Sequence, residues 1–125
     1  VNLTGITRFE ILEEVKNSKL YREFRVNYEK FEQDLTTVSC KSGTDQLMDK
    51  AKTFLQKSGL LLNWKEFDKL DIAQRINTLS MISPITNEEK QKLIEAVTLE
   101  DKIKTLEEII GFYLHEVSFN NQTIQ

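Results

Sequence analysis

Residues that do chemistry are scarce in this chain. Cys40 is its only cysteine and His115 its only histidine, so it has no pair for an internal disulfide and no Cys/His cluster with metal-ligand spacing. No metal or cofactor is expected, and a reducing cytoplasm is the plain setting. The four glycines stand apart at Gly5, Gly43, Gly59 and Gly111, which excludes a glycine-rich loop whose amides converge on phosphate. No apolar run approaches the roughly 20 residues of a membrane helix, and no charged-then-apolar signal segment opens the chain. Basic excess is missing too. The net charge is -3, and Arg8, Lys16, Lys19, Arg22 and Arg25 are offset by Glu10, Glu13, Glu14 and Glu23. A groove that tracks a nucleic-acid backbone is not indicated, and an RNA-binding module remains only the alternative reading. The chain starts at Val1, directly in strand-like sequence, as a portion of a longer protein would.

What is present is apolar patterning and helix punctuation. With 125 residues and 39% hydrophobic content the chain suits one compact domain, 1–125. Phe9, Ile11 and Val15 are separated by even steps, as are Phe24, Val26 and Tyr28, and period two predicts strands over 8–15 and 20–28. The polar run Lys16 to Lys19 joins them as a hairpin, Val1 to Thr4 forms a further strand, and Gly5 marks a bulge or bend. Two or three strands are marginal alone, so this sheet needs a helix, more strands or another chain against it.

After Phe31 the period becomes helical. Leu47, Ala51, Phe54 and Leu55 share one face of a helix that starts at the Ser42-Gly43-Thr44 break and ends at Gly59. Asn63 with Glu66 signals a short second helix, and Asp71 caps a third with Ile72, Ile76 and Leu79 inward, stopped by Pro84. Thr86 with Glu89, and Thr98 with Asp101, are two [ST]-x-x-[DE] boxes, each placing an oxygen acceptor and an acid at a helix start. The fourth helix should bury Leu93, Ile94 and Val97. The fifth carries the stripe Leu99, Ile103, Leu106, Ile110, Tyr113 and Val117. The fold class is therefore α+β: a short antiparallel sheet or hairpin over 1–35, a bundle of about five helices over 42–117, and a disordered tail over 118–125.

No catalytic residue is assigned. Ser39, Cys40 and His115 are the only material for an unrecognised hydrolase, and adjacency in sequence supplies neither the geometry nor the lowered pKa that a nucleophile needs. Cys40 reads as apolar filler and His115 as a surface residue; Trp64, at a helix start, reads as core. Phe112 stands apart. At about 100° per residue it lies away from the fifth helix's stripe, so it should be exposed unless the hairpin or a partner covers it, with Ile109 beside it widening the patch. Ile109 and Phe112 are therefore the candidate partner-binding residues, with Tyr21, Phe24 and Tyr28 of the hairpin after them.

Several segments carry a family resemblance: Leu3-Thr-Gly-Ile-Thr-Arg-Phe9, Tyr21-Arg-Glu-Phe-Arg-Val-Asn-Tyr28, Asn63-Trp64, Asn77-Thr-Leu-Ser-Met-Ile-Ser-Pro84, and Glu89-Lys-Gln-Lys-Leu-Ile-Glu-Ala96 followed by Thr98-Leu99. Through them the chain resembles the later part of the Lon protease N-terminal domain, as found in stand-alone bacterial proteins that have this domain without the protease. The resemblance implies the end of a PUA-like β-barrel followed by a helical bundle. It also implies a non-catalytic role, binding unfolded or partner polypeptides in protein quality control or proteolysis, since ATPase and Ser/Lys peptidase lie in other domains of the protease. Open strand edges would additionally favour self-association through the hairpin.

Overall fold

The computed structural model describes residues 1–36 and 43–123, with side chains described as far as residue 116. Its elements are β1 (Glu10–Val15), β2 (Glu23–Asn27), a 3₁₀ helix (Glu29–Leu35), and five α-helices: α1 (Thr44–Lys57), α2 (Trp64–Phe67), α3 (Ile72–Ile82), α4 (Asn87–Glu95) and α5 (Leu99–Thr123). The α+β class is as expected. Packing separates the chain into two compact units, Val1–Val38 and Ser39–Gln125.

The first unit is an antiparallel hairpin of β1 and β2. Both strands are shorter than their alternation predicts, and residues 1–9 form no strand, so the expected strand over Val1 to Thr4 is not made. A strand needs a ladder partner, and among the described residues none lies beside that segment. Leu20, Tyr21 and Arg22 belong to the connection rather than to β2, because Asn17 Oδ1 accepts from Lys19 N at 2.9 Å and turns the chain early. The bulge falls at Leu12 and not at Gly5: Ile11 pairs with Val26, the next pair is Glu13 with Arg25, and Val15 faces Glu23. One extra residue reverses the side-chain phase. Ile11 therefore shares a face with Val26 and Phe24, while Val15 is on the other, although even spacing predicts Ile11 and Val15 together.

At the far end of β2, Asn27 Oδ1 accepts from Glu29 N at 3.0 Å and bends the chain into the 3₁₀ helix, where a strand-rich segment was expected. Asp34 on that helix fastens the unit. It accepts from Arg8 Nε and Nη2 at 2.8 Å each and from Arg8 N at 2.9 Å, with the guanidinium 4.6 Å above the Phe31 ring. No residue of this unit is buried among those described.

In the second unit every α-helix has a local reason to start or stop. Gly43 sits at the α1 N-cap with φ 91°, without a side-chain cap; Ser42, which the sequence offered as part of that start, lies outside the described residues. Gly59 at φ 74° closes α1: its N–H reaches Gln56 O at 3.1 Å and the Leu60 N–H reaches Leu55 O at 3.0 Å, the paired bonds of a Schellman ending. Asn63 Oδ1 caps α2. Complete capping boxes open α3 (Asp71 with Gln74) and α4 (Thr86 with Glu89), and Thr98 Oγ1 accepts from Asp101 N at 3.1 Å. Ser83, at extended φ/ψ before Pro84, ends α3. The stripe predicts an end to α5 at Val117, yet the helix continues to Thr123, with no glycine or proline after Gly111 to stop it.

Leu47, Ala51, Phe54, Leu55, Phe67, Ile76, Leu79, Ile85, Leu93, Leu106 and Ile110 form one core, each large aliphatic contributing about 1.5–3 kcal/mol by its removal from water. The helix α5 is central and packs against α1, α3 and α4. Trp64 is packed against this core, as the sequence suggested, in an edge-on contact with Phe67. Two residues expected to be buried by the fourth helix differ: Ile94 is 58% exposed, and Val97 lies beyond the end of α4 and is half-buried. On a helix of nine residues Leu93 occupies the inward position, and the next residue is turned about 100° away from it.

Candidate functional site

Each unit presents apolar side chains to solvent. On the hairpin the three named candidates are all exposed: Tyr21, Phe24 and Tyr28. They do not form one aromatic cluster among the described residues. Tyr28 instead meets Phe9 edge to face, with centroids 6.2 Å apart, so Phe9 joins the surface although sequence reasoning treated it only as a strand residue. Phe24 lies under the Arg22 guanidinium at 5.1 Å, and Tyr21 under the Lys19 ammonium at 5.2 Å.

These cations are held by carboxylates. Arg22 donates to both Glu14 oxygens, at 2.8 and 3.0 Å, which keeps the Glu14 carboxyl below its usual range and raises Arg22 further. Lys19 pairs with Glu23, and that bond, followed by Tyr21, raises its pKa. Arg25 pairs with Glu13 at 2.8 Å across the strands. Lys19, Arg22 and Arg25 of the hairpin are thus each paired with a carboxylate.

In the bundle the two remaining candidates part company. Phe112 is 58% exposed, whereas Ile109 is half-buried and packed against the core. The Phe112 ring is edge-on to Tyr113 at 5.9 Å, and Tyr113 in turn lies 5.4 Å from Phe54. The Tyr113 hydroxyl donates to Glu89 Oε2 at 2.9 Å, while the same oxygen accepts from Thr86 N. That carboxylate holds the phenolic proton and pushes its pKa up. One acid therefore serves as the α4 cap and as the anchor for α5. Sequence reasoning missed Leu60, Leu61, Met81 and Ile94, which are also exposed. The first two follow the Schellman turn, and no periodicity in the sequence could have flagged them.

Nothing in either unit assembles reactive groups among the described residues. His115 is exposed on α5, and among the described residues no group of three or more His, Cys, Asp or Glu side chains could hold a metal. Ser39 and Cys40 lie outside the described residues. No helix is long and apolar enough to cross a membrane, among the residues described.

The comparison with known families gives a match. The family model of the ATP-dependent protease La (LON) substrate-binding domain matches residues 1–111, most of the chain's 125. The chain belongs to that family, and the resemblance read from its segments holds. No curated protein and no solved structure matches it.

Proposed function

We propose that this chain is a non-catalytic module that binds unfolded or partner polypeptides in protein quality control or proteolysis. The observation that carries the reading is the exposure of Phe112, Tyr21, Phe24 and Tyr28 on a member of a substrate-binding family. Such side chains offer an unfolded chain the apolar contact area that it has failed to bury internally. The work is set in the cytoplasm, since a chain with one cysteine has no internal disulfide to need an oxidising compartment. The hairpin adds a second mode. The outer edges of β1 and β2 carry no ladder partner among the described residues, so an extended segment, or a second copy, could add as a strand.

The test is fluorescence polarisation of the full chain with a chemically unfolded, fluorescein-labelled polypeptide. Saturable binding is expected, weakened about tenfold or more by Phe112→Asp, the scale of one well-packed anchor. Absence of binding, or indifference to Phe112→Asp and to Phe24→Asp alike, would end the reading. Self-association is checked by sedimentation: the oligomer expected at high concentration should dissociate when Ile11 is replaced by Lys.

A further inference from the structure

The helices α3 and α4 each contribute a triplet at i, i+3 and i+4 to one groove: Asn77, Ser80 and Met81 from α3, Lys90, Leu93 and Ile94 from α4. That spacing puts each triplet on a single helix face. The groove has a volume of about 330 Å³, with Leu93 as its buried floor and the exposed side chains of Met81 and Ile94 as its walls. Lys102 of α5 also lines it. Its size is at the small end for a ligand pocket, enough for an anchoring side chain or two.

The charge of this groove runs against that of the chain. The two charged residues among its lining are the cations Lys90 and Lys102, on a protein of net charge -3. The Lys90 ammonium donates to Met81 O at 2.9 Å, one of the carbonyls left without a helical partner at the α3 end. That partner is a neutral carbonyl carrying the partial negative charge of the helix terminus, and among the described residues Lys90 makes no ion pair with a carboxylate. Lys102 is steered by Asn77 Oδ1 at 3.0 Å. The charged groups of the lining are thus both cationic, beside the neutral side chains of Asn77 and Ser80, which favours an apolar anchor with negative charge beside it.

We infer that the α3–α4 groove is a docking site for a polypeptide segment in which an aliphatic side chain is flanked by acidic residues. The anchor enters between Met81 and Ile94 and rests on Leu93; the flanking carboxylate meets the Lys90 rim. This deepens the polypeptide-binding reading and rests on it, giving that activity a preference of charge that the hairpin and Phe112 surfaces do not have.

The test uses the full chain and three fluorescein-labelled peptides: one with a leucine flanked by glutamates, one with lysines replacing the glutamates, and one with alanine replacing the leucine. The first should bind saturably and the other two about tenfold more weakly or worse. Met81→Asp and Ile94→Asp, both at exposed positions, should weaken the first peptide by a similar factor with unchanged far-UV circular dichroism. Leu61→Asp, fully exposed outside the groove, should leave it unaffected. Lys90 is left intact because it also caps α3. If the unfolded polypeptide binds but the lysine peptide matches the glutamate peptide, or Ile94→Asp behaves like Leu61→Asp, the groove assignment falls while the binding reading stands. If neither the unfolded polypeptide nor any peptide binds, both fall.

Discussion

Ile11 of the hairpin and Ile110 of α5 are the same residue type, one in a strand and one in a helix, yet Ile11 is 58% exposed and Ile110 fully buried. The difference lies in what surrounds each element within its own unit. In residues 43–123 the helices α1, α3 and α4 all pack on α5, and α3 packs on α4 as well. In residues 1–36 there is one two-stranded layer and a short 3₁₀ helix, so alternation exists without a second layer to receive it. A periodic pattern declares a face; only a facing layer turns it into stability. The hairpin unit relies instead on polar fastening, chiefly Arg8 on Asp34, and most of its apolar residues stay exposed.

The sharpest break of this comparison is a pair of truncations. Ile110→Ala should destabilise the helical unit by about 2–5 kcal/mol in urea titration, because it leaves a cavity in a packed core. Ile11→Ala should change stability by no more than about 0.5 kcal/mol, as at any solvated site. Equal losses would show that the hairpin is as well covered as the bundle.

Next in size is Arg8→Ala, which removes the two guanidinium hydrogen bonds to one partly buried carboxylate, leaves the backbone one, and should loosen residues 29–35 by about 1.5–3 kcal/mol. Amide exchange should quicken there while the α5 amides keep their protection. Thr86→Ala is smaller, about 1 kcal/mol from the lost cap of α4, and should appear in the thermal midpoint of the helical signal.

The smallest effect is a slope against pH. Tyr113 has its pKa raised above the ordinary 10.0 by the bond to Glu89, so the folded state keeps a proton that the unfolded chain releases. Stability from this bond is fully present below that ordinary value and is lost as pH rises above it. Tyr113→Phe should flatten the alkaline decline in the urea midpoint relative to the parent protein. An unchanged decline would mean that the α4–α5 tether contributes nothing.

The parts legible in the sequence were those decided within a few residues. Asp71, Thr86 and Asn63 cap where they should, Pro84 stops α3, the α1 stripe is core, and the α5 stripe from Leu99 to Tyr113 is in the core or packed against it, because capping and helical period are properties of local chain geometry. Phe112 was legible as exposed for the same reason. What escaped depended on neighbours distant in sequence or on signals that no residue type carries. Leu12 bulges without a glycine to mark it, Asn17 and Asn27 bend the chain through their own side chains, and Leu93 and Ile94 compete for one inward position that only docking decides. Ile109 is of the same kind: its angle on the helix suggested company for Phe112, but the bundle packs around it. The α3–α4 groove needed both helices in place before Met81 and Ile94 could be seen as its two walls.

Leu12 has a consequence for how the chain can change length. The pairs Ile11–Val26 and Glu13–Arg25 are adjacent rungs, so the residue between Ile11 and Glu13 is surplus to the ladder. Losing a residue in mid-strand ordinarily throws all that follows onto the wrong side. Here excision of Leu12 would leave each rung with its present mate and merely straighten the ribbon, making this the one place in β1 where the gene could drop a codon and the hairpin would still close on the same partners.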